Sequence, residues 1–404
     1  MKNERNTNEE EGKKRILMIA PTAFFSHRGC HIRIYEEAKF LQKRGYRVKI
    51  LTYHIGENAP GFDIERIINI PWYKKIEAGP SWQKLYLDSL LLFRAFSTMK
   101  RFAPGIVHCH LHEGALIGIF LRVWYRKNVI FVFDSQGSLT DELLPFRFMK
   151  KNGFLHRFFC RLEKFIYRHS PAIVVSNKKN AGFLLGEMRI ASGKVKIIPD
   201  GIDIAAIAPD ELKTALLRKK YNPDGSKKIF VYVGTMSEVE GIEPLLKTFS
   251  LLSQKRKDVI LLLRGYPNAD RYSSLVKDMG LSEIVFVGGK VPYSELYDYL
   301  ALGDFAVSFK LPTSEGNGKL LPHSGIGLPT ICYDHLSNRS VLGDNGLYLD
   351  YEKSDEENAT QMSAYLDMGA KDCATLSRKL KEDVAARFSW ENIIKRLEEI
   401  YEKN

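Results

Sequence analysis

Short apolar runs alternate with amphipathic stretches along this chain, and the alternation stops and restarts once, near residue 200. Before the break, 15–21, 47–53, 105–109, 129–133 and 172–176 read as strands, with helical patterns at 31–44 and 114–125. After it, strands are expected at 228–233, 259–264, 284–287, 305–309 and 330–333. A strand followed by a helix and then by a neighbouring strand returns parallel to the first, so each half predicts a parallel sheet wrapped by helices. The expected fold class is α/β, with two Rossmann-like domains whose parallel sheets face each other across a cleft. Ile197-Ile198-Pro199-Asp200-Gly201-Ile202-Asp203 punctuates the middle like a hinge. Residues 1–14 read as a disordered tail, 15–199 as the first domain and 200–388 as the second, with an amphipathic, highly charged last helix beyond.

Composition narrows the setting. At 404 residues and 45% apolar, the chain has material for two ordinary cores. The five cysteines are scattered and odd in number, with no zinc spacing, which suits a reducing compartment and a cytoplasmic protein. No run approaches the roughly eighteen apolar residues that span a bilayer. The net charge of +12 is uneven: residues 1–199 carry 34 Lys and Arg against 17 Asp and Glu, a net of +17, and the remainder is −5. The basic half is expected to face something anionic, such as a membrane surface or a phosphorylated acceptor. No nucleic-acid-binding motif accompanies the charge, so nucleic acid is not expected as a partner.

Ligands of open parallel sheets sit at the carboxyl ends of the strands. The densest signal there is Thr313-Ser314-Glu315-Gly316-Asn317-Gly318-Lys319-Leu320-Leu321, which follows a strand and opens a helix. Its glycines allow close approach to the backbone, the helix start offers N–H groups to an anion such as a diphosphate, and Lys319 adds a full charge. Glu315 is a carboxylate placed to accept hydrogen bonds from sugar hydroxyls.

The ordered set Val233-Gly234-Thr235-Met236, Glu240-Gly241-Ile242, Arg264-Gly265-Tyr266-Pro267, Ser314-Glu315-Gly316 and Gly327-Leu328-Pro329-Thr330 resembles family 4 glycosyltransferases with the GT-B fold. Ile198-Pro199-Asp200-Gly201-Ile202-Asp203 is similar to that family's interdomain motif and Val107-His108-Cys109-His110 to its N-terminal histidine motif. Phe388-Ser389-Trp390 is similar to the motif that starts its last helix. The resemblance implies that 389–404 returns to the first domain. It implies catalytic roles for His110 and Glu315. It implies donor contacts for Gly29, Gly234, Thr235, Arg264, Gly265, Gly316, Asn317, Gly318, Lys319 and Leu320. It also implies a retaining transfer from a nucleotide-sugar, UDP- or GDP-linked, with no cofactor beyond that substrate and no metal.

Three positions depart from the family pattern. Thr235 stands where an arginine is usual, Glu240 where a lysine is usual, and the second acid of the family's paired-glutamate motif falls at Pro322 or His323. Arg264 and Lys319 are the expected replacements for the two missing cations. The alternative reading is a catalytically inactive homologue serving as scaffold or activating subunit. The N-terminal strings Arg28-Gly29-Cys30-His31-Ile32-Arg33 and Phe133-Asp134-Ser135-Gln136-Gly137 resemble bacterial and archaeal transferases that build polysaccharides or lipid-linked glycans, so a glycan or lipid-linked acceptor is expected. Residues 143–169 carry Arg147, Lys150, Lys151, Arg157, Arg161, Lys164 and Arg168 interleaved with phenylalanines, the pattern of a peripheral contact with the inner face of an anionic membrane.

Overall fold

The computed structural model describes residues 14–26, 29–74, 81–125, 129–143, 153–312 and 316–403. Of the expected tail, 1–14, residues 1–13 lie outside the described residues. The chain forms two compact units, one of residues up to Asp200 together with Trp390 onward, the other of Gly201–Ser389.

Among the described residues the first unit holds seven parallel strands: β1 (Arg15–Ala20), β2 (Arg47–Thr52), β3 (Asp63–Arg66), β4 (Ile106–His110), β5 (Ile130–Ser135), β6 (Ala172–Val175) and β7 (Val195–Ile197). Their order in the sheet is β3-β2-β1-β4-β5-β6-β7. Alternate side chains go to opposite faces and both faces are covered. Leu17, Ile19, Val107 and Phe133 pack with Leu87 and Leu91 of the helix Lys84–Phe102 and Leu121 of the helix Leu111–Tyr125. Ile16, Met18, Ile106 and Val132 pack with Ile34 and Leu41 of the helix Gly29–Lys43 and with Trp390, Ile393 and Leu397 of the last helix, Trp390–Lys403.

The second unit holds β8 (Lys228–Thr235), β9 (Val259–Tyr266), β10 (Val285–Gly288), β11 (Phe305–Ser308), β12 (Thr330–Tyr333) and β13 (Leu347–Leu349), all parallel, in the order β10-β9-β8-β11-β12-β13. One face packs Phe230, Leu261 and Val307 against Leu245 and Phe249 of the helix Ile242–Lys255. The other packs Val231, Leu262 and Ala306 against Leu300 and Leu328.

The three strands that hydropathy missed, β3, β7 and β13, are all sheet edges. An edge strand is short and half solvated, so it lacks the continuous apolar run of a central strand. β3, for example, is Asp-Ile-Glu-Arg.

The last helix is held by its apolar stripe. Trp390 is buried and lies stacked on Phe40, with ring centroids 6.3 Å apart. Trp390→Ala should therefore cost about 3–5 kcal/mol. A urea titration checks this, and an unchanged midpoint would mean that the helix contributes little to the unit's stability.

Candidate active site

In the first sheet the strand order reverses between β1 and β4, so a crevice opens at their carboxyl ends. His110 is the last residue of β4. Leu111 follows with φ +62°, a left-handed conformation that leucine seldom adopts, and the next helix starts at once. His110 is buried, and its Nδ1–H donates to Asp134 Oδ2 at 3.0 Å. That oxygen also accepts from Arg33 Nε at 3.0 Å and from Gln136 Nε2 at 3.0 Å. Arg33 continues through Nη1 to Asp200 Oδ1 at 2.8 Å and through Nη2 to the Ile198 carbonyl at 3.2 Å. Its Nη2 also lies 3.1 Å from Glu37 Oε1.

The charges in this network follow from its burial. Burial pushes the Asp134 carboxyl up, but Arg33 and His110 outweigh it and hold the group well below the usual range. Glu37 is less well served: burial carries its carboxyl up to about 8 despite Arg33. The His108 ring, stacked on His110 with centroids 4.5 Å apart, is pulled down by burial and then by His110, so it is neutral. Glu37, His108, His110 and Asp134 offer ligand atoms within 4.8 Å of one another, a donor set that suits a metal ion. In this chain the Arg33 guanidinium already sits on both carboxylates, and its charge repels a second cation.

In the second sheet the order reverses between β8 and β11. Gly234 and Thr235 end β8, and Lys310 lies two residues past β11. Gly241 has φ +69°, and a Cβ there would stand 2.0 Å from the Phe309 carbonyl oxygen. That close approach, with Leu311 N–H donating to the Val239 carbonyl at 2.9 Å, brings Glu240 to the end of β11. Glu240 is ion-paired with Lys319 and lies 3.8 Å from Lys310 Nζ. Burial pushes its carboxyl up, yet the two lysines together hold it below the usual range. Lys310 also donates to the Gly316 carbonyl at 3.0 Å. A Cβ on Gly234 would lie 2.6 Å from Lys319 Cδ, so glycine there makes room for the lysine stem.

The residues expected at the site divide into several groups. Gly234, Gly316 and Lys319 come together around Glu240 and Lys310. Thr235 is the last residue of β8, where its carbonyl accepts from the Tyr232 hydroxyl, and Gly265 packs on Gly234, where a Cβ would meet the carbonyl oxygen at 1.8 Å. Arg264 turns elsewhere, over the Tyr299 ring at 5.1 Å and against Gly288, so it is not part of the lysine cluster. Asn317 points inward and donates to Ser308 Oγ and Asn338 Oδ1, each at 2.9 Å. Leu320 is a core residue beside Cys332, Leu342 and Leu380. Gly318 is exposed in the turn. Gly29 opens its helix with clear space around it. Glu315 lies outside the described residues.

The helix after this loop, Leu320–Ile326, is short, and its first amides are engaged: Leu320 N donates to the Asn317 carbonyl and Leu321 N to that of Gly318. Positive charge here therefore comes from lysines rather than from open helix amides. His323, one of the two residues at which the second acid falls, is buried, and burial followed by Lys319 pulls its imidazole down to about 3.

Sequence reasoning missed Arg33, Glu37, Asp134 and Lys310. Their signal was available: Asp134 and Lys310 are charges standing directly at the carboxyl ends of apolar runs, and Arg33 and Glu37 are one turn apart on a buried helix face.

A family model described as Glycosyltransferase Family 4 matches residues 28–206, and one described as Glycosyl transferases group 1 matches residues 213–383. The chain belongs to this family of glycosyltransferases, which have the GT-B fold. It is 21% identical over 401 residues to D-inositol 3-phosphate glycosyltransferase of Corynebacterium kroppenstedtii, covering 93% of this chain and 85% of that protein. It is 32% identical over 168 residues to O-antigen chain mannosyltransferase B of Escherichia coli, 40% of this chain and 42% of that one. Among solved structures it is similar to sucrose-phosphate synthase from Thermosynechococcus elongatus, at TM-score 0.78 and 17% identity over 96% of this chain and 98% of that one. It is also similar to Anabaena HepE solved with UDP-glucose, at TM-score 0.74 and 13% identity over 96% and 100%.

The Glu37 proton gives a test of the first unit. Folding raises this group's hold on its proton, so the stability it lends is fully present below about pH 4.5 and is lost as the pH climbs through about 8. Glu37→Gln is permanently neutral. Its melting temperature should gain on that of the unaltered chain from about pH 5 to about pH 9. A difference that stays constant with pH would show that Glu37 is ionised in the folded chain.

Proposed function

We propose that the chain is a retaining, metal-independent glycosyltransferase that moves a sugar from a nucleoside-diphosphate donor to a glycan or lipid-linked acceptor. The observation that carries this reading is the lysine pair at the β8/β11 switch point, in the part of the chain matched by the group 1 transferase model. A leaving diphosphate needs positive charge beside it, and in a largely buried site each charge-assisted contact counts for more than it does in water. HepE, of the same fold, has been solved with UDP and with UDP-glucose, so a UDP-linked donor is the first to test and a GDP-linked one the second. Glu315 and His110 are assigned to the transferred sugar. Asp134 fixes the Nδ1–H form of the His110 ring and leaves Nε2 as an acceptor for a hydroxyl.

Thr235, Glu240 and the neutral His323 favour a second reading, a non-catalytic homologue. Turnover decides between the two. Nucleotide-sugars that bind should raise the melting temperature by mass action. His110→Ala and Glu315→Gln should then each cut turnover about ten- to hundredfold, the effect of losing one strong hydrogen bond in the transition state. Nucleotide affinity should be kept in both. A chain that binds donors and transfers nothing would sink the catalytic reading.

We place the protein on the cytoplasmic side, docked on an anionic bilayer through its first unit. No helix among the described residues is long and apolar enough to cross a membrane. The helix Leu111–Tyr125 packs against both Lys84–Phe102 and Phe154–His169. Outward from these three helices stand Phe93, Phe120, Trp124, Phe154, Phe158 and Phe165. Exposed Arg157, Arg161 and Arg168 flank the last three. Arg147, Lys150 and Lys151, also expected to contribute, lie outside the described residues. Each basic residue near an anionic surface contributes about 1 kcal/mol, and the aromatics add insertion that salt does not screen. Binding to anionic liposomes should weaken but persist as salt rises. Reversing Arg157, Arg161 and Lys164 to Glu should release the protein with nucleotide binding intact. A chain that ignores anionic liposomes at low salt would make a soluble phosphorylated acceptor the better reading.

A further inference from the structure

We propose that Glu240 competes with the donor's diphosphate for Lys310 and Lys319, so that the nucleotide binds by displacing an internal carboxylate and leaves as that carboxylate returns. This rests on the reading above, in which Lys310 and Lys319 face the diphosphate, and adds the role that the reading leaves open: Glu240 as their intramolecular rival.

The geometry points the same way from several sides. Glu240 faces Lys319 and Lys310 at once, and all three side chains are largely withdrawn from water, at 8%, 17% and 6% exposed. The carboxylate is carried there by backbone that glycine makes possible. Gly241, in the left-handed region, lets the 238–240 turn approach the end of β11. The two lysines come from opposite ends of the 310–319 loop and converge at the switch point, where a ligand of this fold is expected. Lys319 is further held over the Tyr232 ring at 5.7 Å, with its stem along Gly234.

The chemistry sets a direction. A carboxylate brings one negative charge to the lysine pair, whereas a diphosphate brings at least two and more acceptor oxygens. The diphosphate therefore wins the exchange, but its net gain is reduced by the ion pairs it breaks. The reverse exchange gives the product nucleotide an easy exit, because the lysines are never left uncompensated in a low-dielectric site. At the same point a plain cation would hold the product more tightly.

Glu240→Gln keeps the shape and removes the competing charge. Measured by calorimetry, it should bind inorganic pyrophosphate and UDP about tenfold more tightly than the unaltered chain, with UMP changed less. Glu240→Asp keeps the charge on a shorter arm and should fall between, which guards against a Gln variant that folds poorly. Lys310→Met and Lys319→Met should each weaken pyrophosphate binding about tenfold. If Glu240→Gln binds pyrophosphate no better than the unaltered chain, or worse, Glu240 orients the lysines rather than competing for them and the proposal is overturned. If pyrophosphate behaves as expected while neither UDP nor GDP binds, the lysine exchange stands and the nucleotide-sugar reading falls.

Discussion

Where the strand order of a parallel sheet reverses, the segments leaving two neighbouring strands pass to opposite faces, and a crevice remains at the carboxyl ends that neither segment fills. Both units of this chain are organised around such a point, between β1 and β4 in one and between β8 and β11 in the other. The strands that flank it are central and buried on both faces, so they are nearly all apolar until their last residue. Polar and charged groups are then placed at the carboxyl ends of these strands and of the neighbouring β5: His110 on β4, Asp134 on β5, Lys310 just past β11.

Charges gathered in a crevice are expensive unless they find partners. The two units meet that cost differently. In the first, one guanidinium serves three carboxylates: Arg33 bonds Asp134 and Asp200 and lies against Glu37. The best-partnered acid stays ionised, and the least-partnered one, Glu37, rises toward neutrality. In the second, one carboxylate serves two ammonium groups, and Glu240 stays ionised despite its burial. The first arrangement orients an imidazole. The second keeps a pair of cations assembled and in reach of an anion.

Charge conservation at a site and residue conservation at a position are different constraints. Glu240 stands where the family pattern has a lysine, and the helix that follows the loop does not present open amides. Positive charge is nonetheless delivered to the same crevice, from the end of β11 and from the far side of the loop. A site built on strand ends permits this exchange, because several loops converge on one small volume and any of them can supply the cation.

Hydropathy periodicity alone determined the central strands, the α/β class and the division near residue 200, since a buried strand must be apolar on both faces and a crossover helix must be amphipathic on one. It was silent at β3, β7 and β13, where an edge position removes that requirement. It marked the loops that build the site, and with the family motifs it picked out His110 and Lys319. What it could not reach was pairing. Lys319 meets Glu240 across 79 residues, Arg33 meets Asp134 across 101, and Arg33 meets Asp200 across 167. No local pattern encodes such contacts. They exist because β8 lies beside β11, and because the helix after β1 packs on the same sheet face that Ile106 of β4 and Val132 of β5 line, so tertiary structure decided which charge each acid would answer to and therefore which would stay ionised.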